Sequence, residues 1–514
     1  MSKASIEIVW FKRDLRVTDH KPLFEASLSQ LPVLPLYVVE PGYWNRAAAS
    51  ARHWHFISDC LEDLNLDCRN LGQPLLIKIG EVEKVLEEIQ NRFIICALRA
   101  HEETGDDWTY RRDIRVQKWC NDQNINFLEY PTNGVVRGLK SRDNWAKIRN
   151  LRVHAQIIPN PKELTPLPQP FLNDVHSKND PIFGNPFKGN VQKGGRREAL
   201  LLFKSFVESR GKDYLSNMSS PQKSDLSCSR LSAHLSWGTI SVKEVLGWLP
   251  DNKNYPLGSR SILNKRAVSA FKSRIAWRCH FIQKLEDRPD IEFKCMHELF
   301  EGMREPYFDP ILFKSWCNGD TGYPFIDACM KFLITNGWIT FRSRALLVSF
   351  ASYNLWLDWR KTGDYLAQLF TDFEPGVHYS QLQMQSGVTG INAIRIYNPT
   401  KQSYDQDREG NFIKKWVPAL KNVPKAFIHE PWLMDHKHQT QSNCIIGQDY
   451  PAPIVEYKQS YTRAKQRIKE IRGSTDFRSI SKTVFNNLGS RKKKRIRSKI
   501  KKDGAQLSFT FDNS

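Results

Sequence analysis

Three groups of side chains in this sequence have the types and spacing to do chemistry. Cys228, Ser229, Arg230, Leu231 and Ser232 set two hydroxyls and a guanidinium just ahead of a helical pattern, AHLSWGTISVKEVLGWL. Hydroxyls and free backbone N–H groups at a helix N-terminus form an anion site that suits a pyrophosphate, and the same residues also read as a plain helix cap. Arg274, Trp277 and Arg278 share one helix face through i, i+3 and i+4 spacing. They read either as a ligand wall or as a core Trp flanked by arginines whose stems lie on apolar surface. Arg342 and Arg344 precede Asp372 and Glu374, the pattern of guanidiniums facing buried carboxylates, which is commonly structural. Trp316, Trp338, Trp356 and Trp359 have the density of a large helical core.

These groups need elements to hold them, and the chain divides into two regimes. IEIVWF (6–11), VLPLYVV (33–39), PLLIKIG (74–80), FIICALR (93–99) and INFLEY (125–130) are short apolar runs, read as buried parallel strands. Helical patterns over 51–66, 82–92 and 107–120 alternate with them, which predicts a doubly wound α/β domain. No G-x-G-x-x-G follows the first strand, so the dinucleotide fingerprint is absent. Prolines at 159, 161, 166, 168, 170, 181 and 186 mark a connector without regular structure. From about 196 to 475 helical periodicity dominates, in ALLLFKSFVESR, AVSAFKSRIAWRCHFIQKLE, FIDACMKFLITNGW and SRALLVSFASYNLWLDWR.

Charge narrows the function class. Lys and Arg outnumber Asp and Glu by 76 to 55, a net +21 that suits a polyanionic partner such as nucleic acid. The run RKKKRIRSKIKK (491–502) holds ten of those cations and reads as a solvated tail, and the body keeps about +11 without it. No stretch reaches the ~20 apolar residues of a membrane span, and the first residues lack a secretory apolar core, so a cytoplasmic address is expected. Ten scattered cysteines without a C-x-x-C pair fit reduced, mostly buried thiols and predict neither structural zinc nor a disulfide framework.

The order of several motifs along the chain resembles the cryptochrome/photolyase family. Ile8-Val9-Trp10-Phe11-Lys12-Arg13-Asp14-Leu15-Arg16-Val17 with Asp19 and His20 is similar to that family's opening. S-R-L-S (229–232), A-W-R (276–278), N-G-D-T-G-Y-P-F-I-D-A-C-M (318–330), N-G-W (336–338), R-S-R (342–344), L-D-W-R (357–360) and R-I-Y-N-P (395–399) follow in the family's order. The resemblance implies an α/β antenna domain over 1–135, a connector over 136–195 and a helical FAD-binding domain over 196–475; the basic tail over 476–514 is expected to be disordered. It implies that Tyr214 and the 228–232 segment hold the FAD phosphates, with Cys228 where Thr is usual. Phe271, Arg274, Arg278, Arg344, Asp372, Glu374 and His378 join the cofactor set, Arg344 and Asp372 as an ion pair beside the flavin ring. Trp277 matches the aromatic wall for a flipped DNA base, with Arg342 as a further DNA contact, and Trp316 and Trp359 match members of the electron-transfer chain.

Departures from the family pattern are equally specific. Arg274 stands where repair enzymes usually carry a Glu, which reverses that charge; Phe341, where Asn or His is common, and Ala345, where Met or His is common, leave out the two histidines of (6-4) photolyases, which argues against a (6-4) substrate. His378 falls at the position facing flavin N5, where its imidazole would serve as a proton donor, the alternative being a His bonded to the backbone. Leu382 replaces the flavin-proximal Trp, and no Trp occurs in 361–415, leaving Tyr379, Trp338 or Trp356 as substitutes. His101, Glu102, Glu103 and Thr104 follow the fourth strand, where the resemblance implies a second antenna chromophore, a folate or deazaflavin, or an empty crevice. Gln506-Leu507-Ser508-Phe509 resembles the peptides by which bacterial repair and replication proteins dock on the DNA sliding clamp. The implied protein is a monomeric DNA photolyase acting on cyclobutane pyrimidine dimers, with a signalling cryptochrome as the alternative.

Overall fold

The computed structural model describes residues 3–174, 177–184, 187, 189–250 and 261–491. Strands β1 (Ser5–Phe11), β2 (Val33–Val39), β3 (Leu76–Ile79), β4 (Ile94–His101) and β5 (Asn126–Tyr130) form one parallel sheet in the order β3-β2-β1-β4-β5. Helices α1 (Lys21–Ser27), α2 (Ala51–Asn70), α3 (Val82–Gln90) and α4 (Asp107–Asp122) alternate with them. The strand runs are apolar throughout because both faces are covered. Val9 and Phe11 of β1 face one core, and Ile6, Ile8 and Trp10 face the other. The strand order reverses at β1, between β2 and β4, which opens a crevice at the carboxyl ends of β1 and β4.

The connector carries α5 (Trp145–Val153) and then, among the described residues, one 3-10 turn over Pro181–Phe183 before α6 (Arg196–Glu208). The helical domain follows with α7 (Ser232–Ser236), α8 (Val242–Gly247), α9 (Lys265–Asp287), α10 (Pro324–Asn336), α11 (Phe341–Ser349), α12 (Trp359–Leu369), α13 (Pro375–Ser386) and α14 (Tyr457–Arg472). Two helical stretches read as continuous are broken. The stretch after Ser232 splits into α7 and α8 at Gly238, which has φ +67°; a Cβ there would lie 2.2 Å from the Arg13 carbonyl, so the α/β domain presses the chain into a turn. The 343–360 stretch widens into one π-turn over Phe350–Asn354 and stops at Trp356, at φ +59°, before Asp358 caps α12.

The expected disordered tail starts too early. Helix α15 (Phe477–Leu488) packs on the domain: the Phe477 ring stacks on His297 at 4.3 Å, and Val484 and Leu488 are buried. Residues 477, 480, 484 and 488 form an apolar stripe at helical spacing that the surrounding basic residues mask in a composition reading. The basic run beyond Arg491 and the clamp-like residues Gln506–Phe509 lie outside the described residues. Among the described residues no helix is long and apolar enough to cross a membrane, and all ten cysteines stand free.

Candidate flavin and DNA site

Two ion pairs organise the site. Arg344 on α11 donates through one Nη to both Asp372 carboxylate oxygens at 3.0 and 2.9 Å, while its Nε bonds the Ile339 carbonyl and its plane lies 4.0 Å from the Phe370 ring centre. Arg278 on α9 donates to Glu374 at 2.6 Å and to the Leu235 carbonyl at 2.9 Å. Asp372 and Glu374 sit on the turn that leads into α13, where Pro375 takes the first helical position. The structure thus brings together four residues from three separate stretches of sequence.

The 228–232 segment lies on the same side. Arg230 adopts φ +61°, stacks 4.1 Å from the Trp338 ring centre, and feels Asp372 and Arg344 electrostatically. Leu231, not a serine, occupies the N-cap of α7 and makes no side-chain cap bond, so the helix-cap reading of Ser229 and Ser232 does not hold. Burial lowers the Arg230 guanidinium from its usual pKa, even with Asp225 at 3.0 Å. Arg210, bonded to the Cys228 carbonyl, is lowered by burial too. Two guanidiniums, one of them paired with Asp225, flank this one backbone segment, a donor arrangement of the kind that fits a pyrophosphate. Tyr214 is buried beside them, edge-on to Phe206 at 5.4 Å and to Phe271 at 6.3 Å.

Arg274 and Trp277 meet as their spacing implies: the guanidinium carbon stands 4.3 Å from the indole centre, and both side chains are only half-buried. Phe341, at the start of α11, is 50% exposed with Arg342 next to it. Trp316 and Trp359 are fully buried. Trp359 donates its indole N–H to Cys295 Sγ at 3.4 Å and lies under Arg360 at 4.7 Å; Trp316 contacts Tyr365 at 5.9 Å. Trp316 therefore lacks the solvent face that the outer end of an electron-transfer chain needs. Leu382 is buried against Gly363.

Of the two readings of His378, its surroundings fit the one bonded to the backbone. Its Nε2 lies 3.0 Å from the Gly363 carbonyl, Phe373 closes on the ring at 5.2 Å, and burial pulls its pKa down to about 4. The imidazole is neutral near pH 7 and its one N–H is committed to Gly363. Because the folded pKa lies below the unfolded value near 6.5, protonation favours the unfolded chain as pH falls from 6.5 through 4. Replacing His378 with Asn is expected to remove an acid sensitivity of roughly 1.4 kcal/mol per pH unit across that window. Unfolding midpoints of both chains measured from pH 7 to pH 4 check this: the gap should move in the variant's favour as pH falls.

At the crevice of the α/β domain, Asp14 accepts from His20 Nε2 at 2.9 Å and from His101 Nδ1 at 2.7 Å, all three buried. The His20 Nδ1 accepts from Leu23 N–H, which fixes Nε2 as the protonated nitrogen. The three side chains form one hydrogen-bond set, their ligand atoms within 4.8 Å of one another. Glu103 is tied to Arg112, which also binds Glu40 and Asp113. A cleft lined by Lys12, Asp14, His101 and Glu103 runs from here to the Arg278–Glu374 pair. Arg210 belongs to the site and is not singled out by the sequence, in which Trp338 reads as core or as an electron-transfer substitute and Arg13 only as part of the opening motif. Arg13 stands two residues beyond the end of a buried strand, the second of two consecutive cations there.

An α/β domain docked on a helical domain that holds paired arginines and carboxylates beside the 228–232 segment defines a two-domain α/β and helical protein. Residues 7–143 match the family model described as DNA photolyase, and 271–470 match that described as FAD binding domain of DNA photolyase. The chain belongs to the photolyase/cryptochrome family, whose cofactor is FAD. A deoxyribodipyrimidine photo-lyase of Alkalihalophilus pseudofirmus is 27% identical over 90% of this chain and 97% of its own length. A cryptochrome DASH of Synechocystis is 25% identical over 90% and 98%. The crystal structure of a bacterial class III photolyase from Agrobacterium tumefaciens superposes with a TM-score of 0.80 at 22% identity, covering 92% of this chain and 99% of that one. An archaeal photolyase from Sulfolobus tokodaii, described as holding two FAD molecules, gives 0.72 at 26% identity over 90% and 100%.

Proposed function

We propose that this protein is a blue-light-dependent deoxyribodipyrimidine photolyase that splits cyclobutane pyrimidine dimers in DNA. The observation that carries the reading is the half-buried Arg274–Trp277 stack, with its 4.3 Å separation, on the same helix as the Glu374 partner Arg278. An indole face receives a flipped base of any sequence, and a guanidinium beside it takes the phosphate or carbonyl oxygens of a damaged dinucleotide. Arg342, beside the exposed Phe341, adds a phosphate contact, and the net charge of +21 supports DNA binding of a strongly salt-dependent kind.

Bound FAD supplies the light absorption and the electron that opens the cyclobutane ring, in an overall redox-neutral reaction. The protein's part is positional. Arg344 with Asp372 and Arg278 with Glu374 orient the flavin end, and Arg230, Arg210 and Tyr214 hold the phosphate end. The crevice behind β1 and β4 is the place for a second light-collecting chromophore, of the folate, deazaflavin or flavin class.

The test is light-driven repair of an oligonucleotide carrying one thymine dimer, using chain whose FAD has been chemically reduced. Repair is expected in the wild type and is expected to fall at least a hundredfold in Trp277→Ala, about 2.7 kcal/mol of lost stabilisation. Absence of repair with FAD bound and reduced would favour the second reading, a cryptochrome-type photoreceptor. Two observations support that reading: Leu382 in place of a proximal Trp, and a cation at 274 where repair enzymes carry a carboxylate.

A further inference from the structure

We infer that Arg13, a residue of the α/β domain, is a positioning residue for the flavin site of the helical domain. It directly follows Lys12 at the carboxyl end of β1, and its guanidinium reaches across the domain boundary. Nη2 donates to the Phe373 carbonyl at 2.6 Å and Nε to the Ser236 carbonyl at 3.1 Å, with the plane 4.4 Å from the Trp237 ring centre. Phe373 lies between Asp372, the partner of Arg344, and Glu374, the partner of Arg278. Ser236, whose carbonyl Arg13 holds, donates its own hydroxyl to the Asp372 carbonyl at 3.2 Å. Both backbone carbonyls flanking the Asp372–Phe373 bond are therefore fixed through one guanidinium and its immediate partner. Glu374 also raises the Arg13 pKa by direct charge attraction, so the cation adds to the field at the site.

A second contact from the same domain supports this placement. His53 on α2 sets its Nε2 at 3.0 Å from the Phe370 carbonyl and its ring parallel to Phe373, 5.8 Å away. The 370–374 turn is clamped from outside its own domain. An Arg fork with two carbonyl acceptors and an aromatic face has one geometry, which Lys cannot reproduce. Loss of Arg13 frees the Phe373 carbonyl and lets both carboxylates shift relative to their arginines.

The inference rests on the reading that Asp372 and Glu374 stand at the flavin. Full-length, FAD-loaded Arg13→Gln, Arg13→Lys, Asp372→Asn and Arg16→Gln chains are compared by visible-region circular dichroism of bound FAD, FAD dissociation constant and unfolding midpoint. Arg16 is the control: it bridges the same boundary through the Gly238 carbonyl at 2.8 Å and does not touch 370–374. Arg13→Gln is expected to change the flavin dichroism and to weaken FAD roughly tenfold, the loss of a charge-assisted bond, with Arg13→Lys intermediate. Arg16→Gln is expected to lower the midpoint and leave the flavin readouts as they are. If Arg13→Gln behaves like Arg16→Gln, Arg13 is a domain staple and the inference is overturned. An unchanged flavin in Asp372→Asn overturns instead the placement of the site. Should Arg13→Gln not fold, Arg13→Lys carries the test, and a wild-type flavin signal in it sinks the proposal.

Discussion

Replacing Arg344 with Gln is expected to weaken FAD binding by roughly a hundredfold, on the order of 3 kcal/mol. The Asp372 side chain is 6% exposed and both its oxygens rest on Arg344. Removing the guanidinium leaves a buried carboxylate uncompensated beside the cofactor, which costs more than the bond itself was worth. The Phe370 face against which the guanidinium packs loses its partner as well. The double variant Arg344→Gln, Asp372→Asn should recover part of the affinity, because no orphan charge remains. FAD titration followed by ultrafiltration measures both, and equal affinities in wild type and Arg344→Gln would remove this pair from the cofactor site.

Replacing Asp327 with Ala is expected to cost about 3–5 kcal/mol of stability, more than any surface change in this chain. Its fully buried carboxylate accepts from Thr321 N–H at 2.8 Å, the Thr321 hydroxyl at 2.6 Å, Gly322 N–H at 3.1 Å and the Tyr450 hydroxyl at 2.6 Å. Alanine leaves four donors unmatched and ties to the 450 region broken. Burial raises the Asp327 pKa to about 6. A raised folded pKa means that the native state holds this proton more tightly, so the contribution is present at low pH and is lost as pH rises through about 6. The thermal midpoint of Asp327→Ala should accordingly lie furthest below wild type at pH 5 and recover part of the difference by pH 7.5.

The five strands were legible because a fully covered parallel strand must be apolar along its length, and the long helices α2, α6, α9 and α10 because their apolar residues recur at helical spacing. The breaks were not legible. Gly238 turns because the Arg13 backbone occupies the space beside it, and Trp356 sits at positive φ in a run whose local pattern is helical. Helix α15 was hidden for a different reason: its basic residues dominate the composition, while four apolar residues decide where it packs.

At the site, residue identities came from sequence and their states from packing. Spacing alone placed Arg274 on Trp277, since partners three residues apart on a helix meet without help from the rest of the chain. The neutrality of His378 depends on how the helical domain packs on itself, and the reach of Arg13 to Phe373, 360 residues away, depends on which surfaces the two domains press together. The sequence by itself determined the alternation of strands and helices, the family and the charge that suits a polyanion, because these follow from periodicity, motif order and composition. Only the tertiary structure decided that Arg278 meets Glu374, that Arg13 reaches Phe373 and that His378 stays neutral. Burial and direction set those outcomes, and both are properties of contacts between segments distant in the chain.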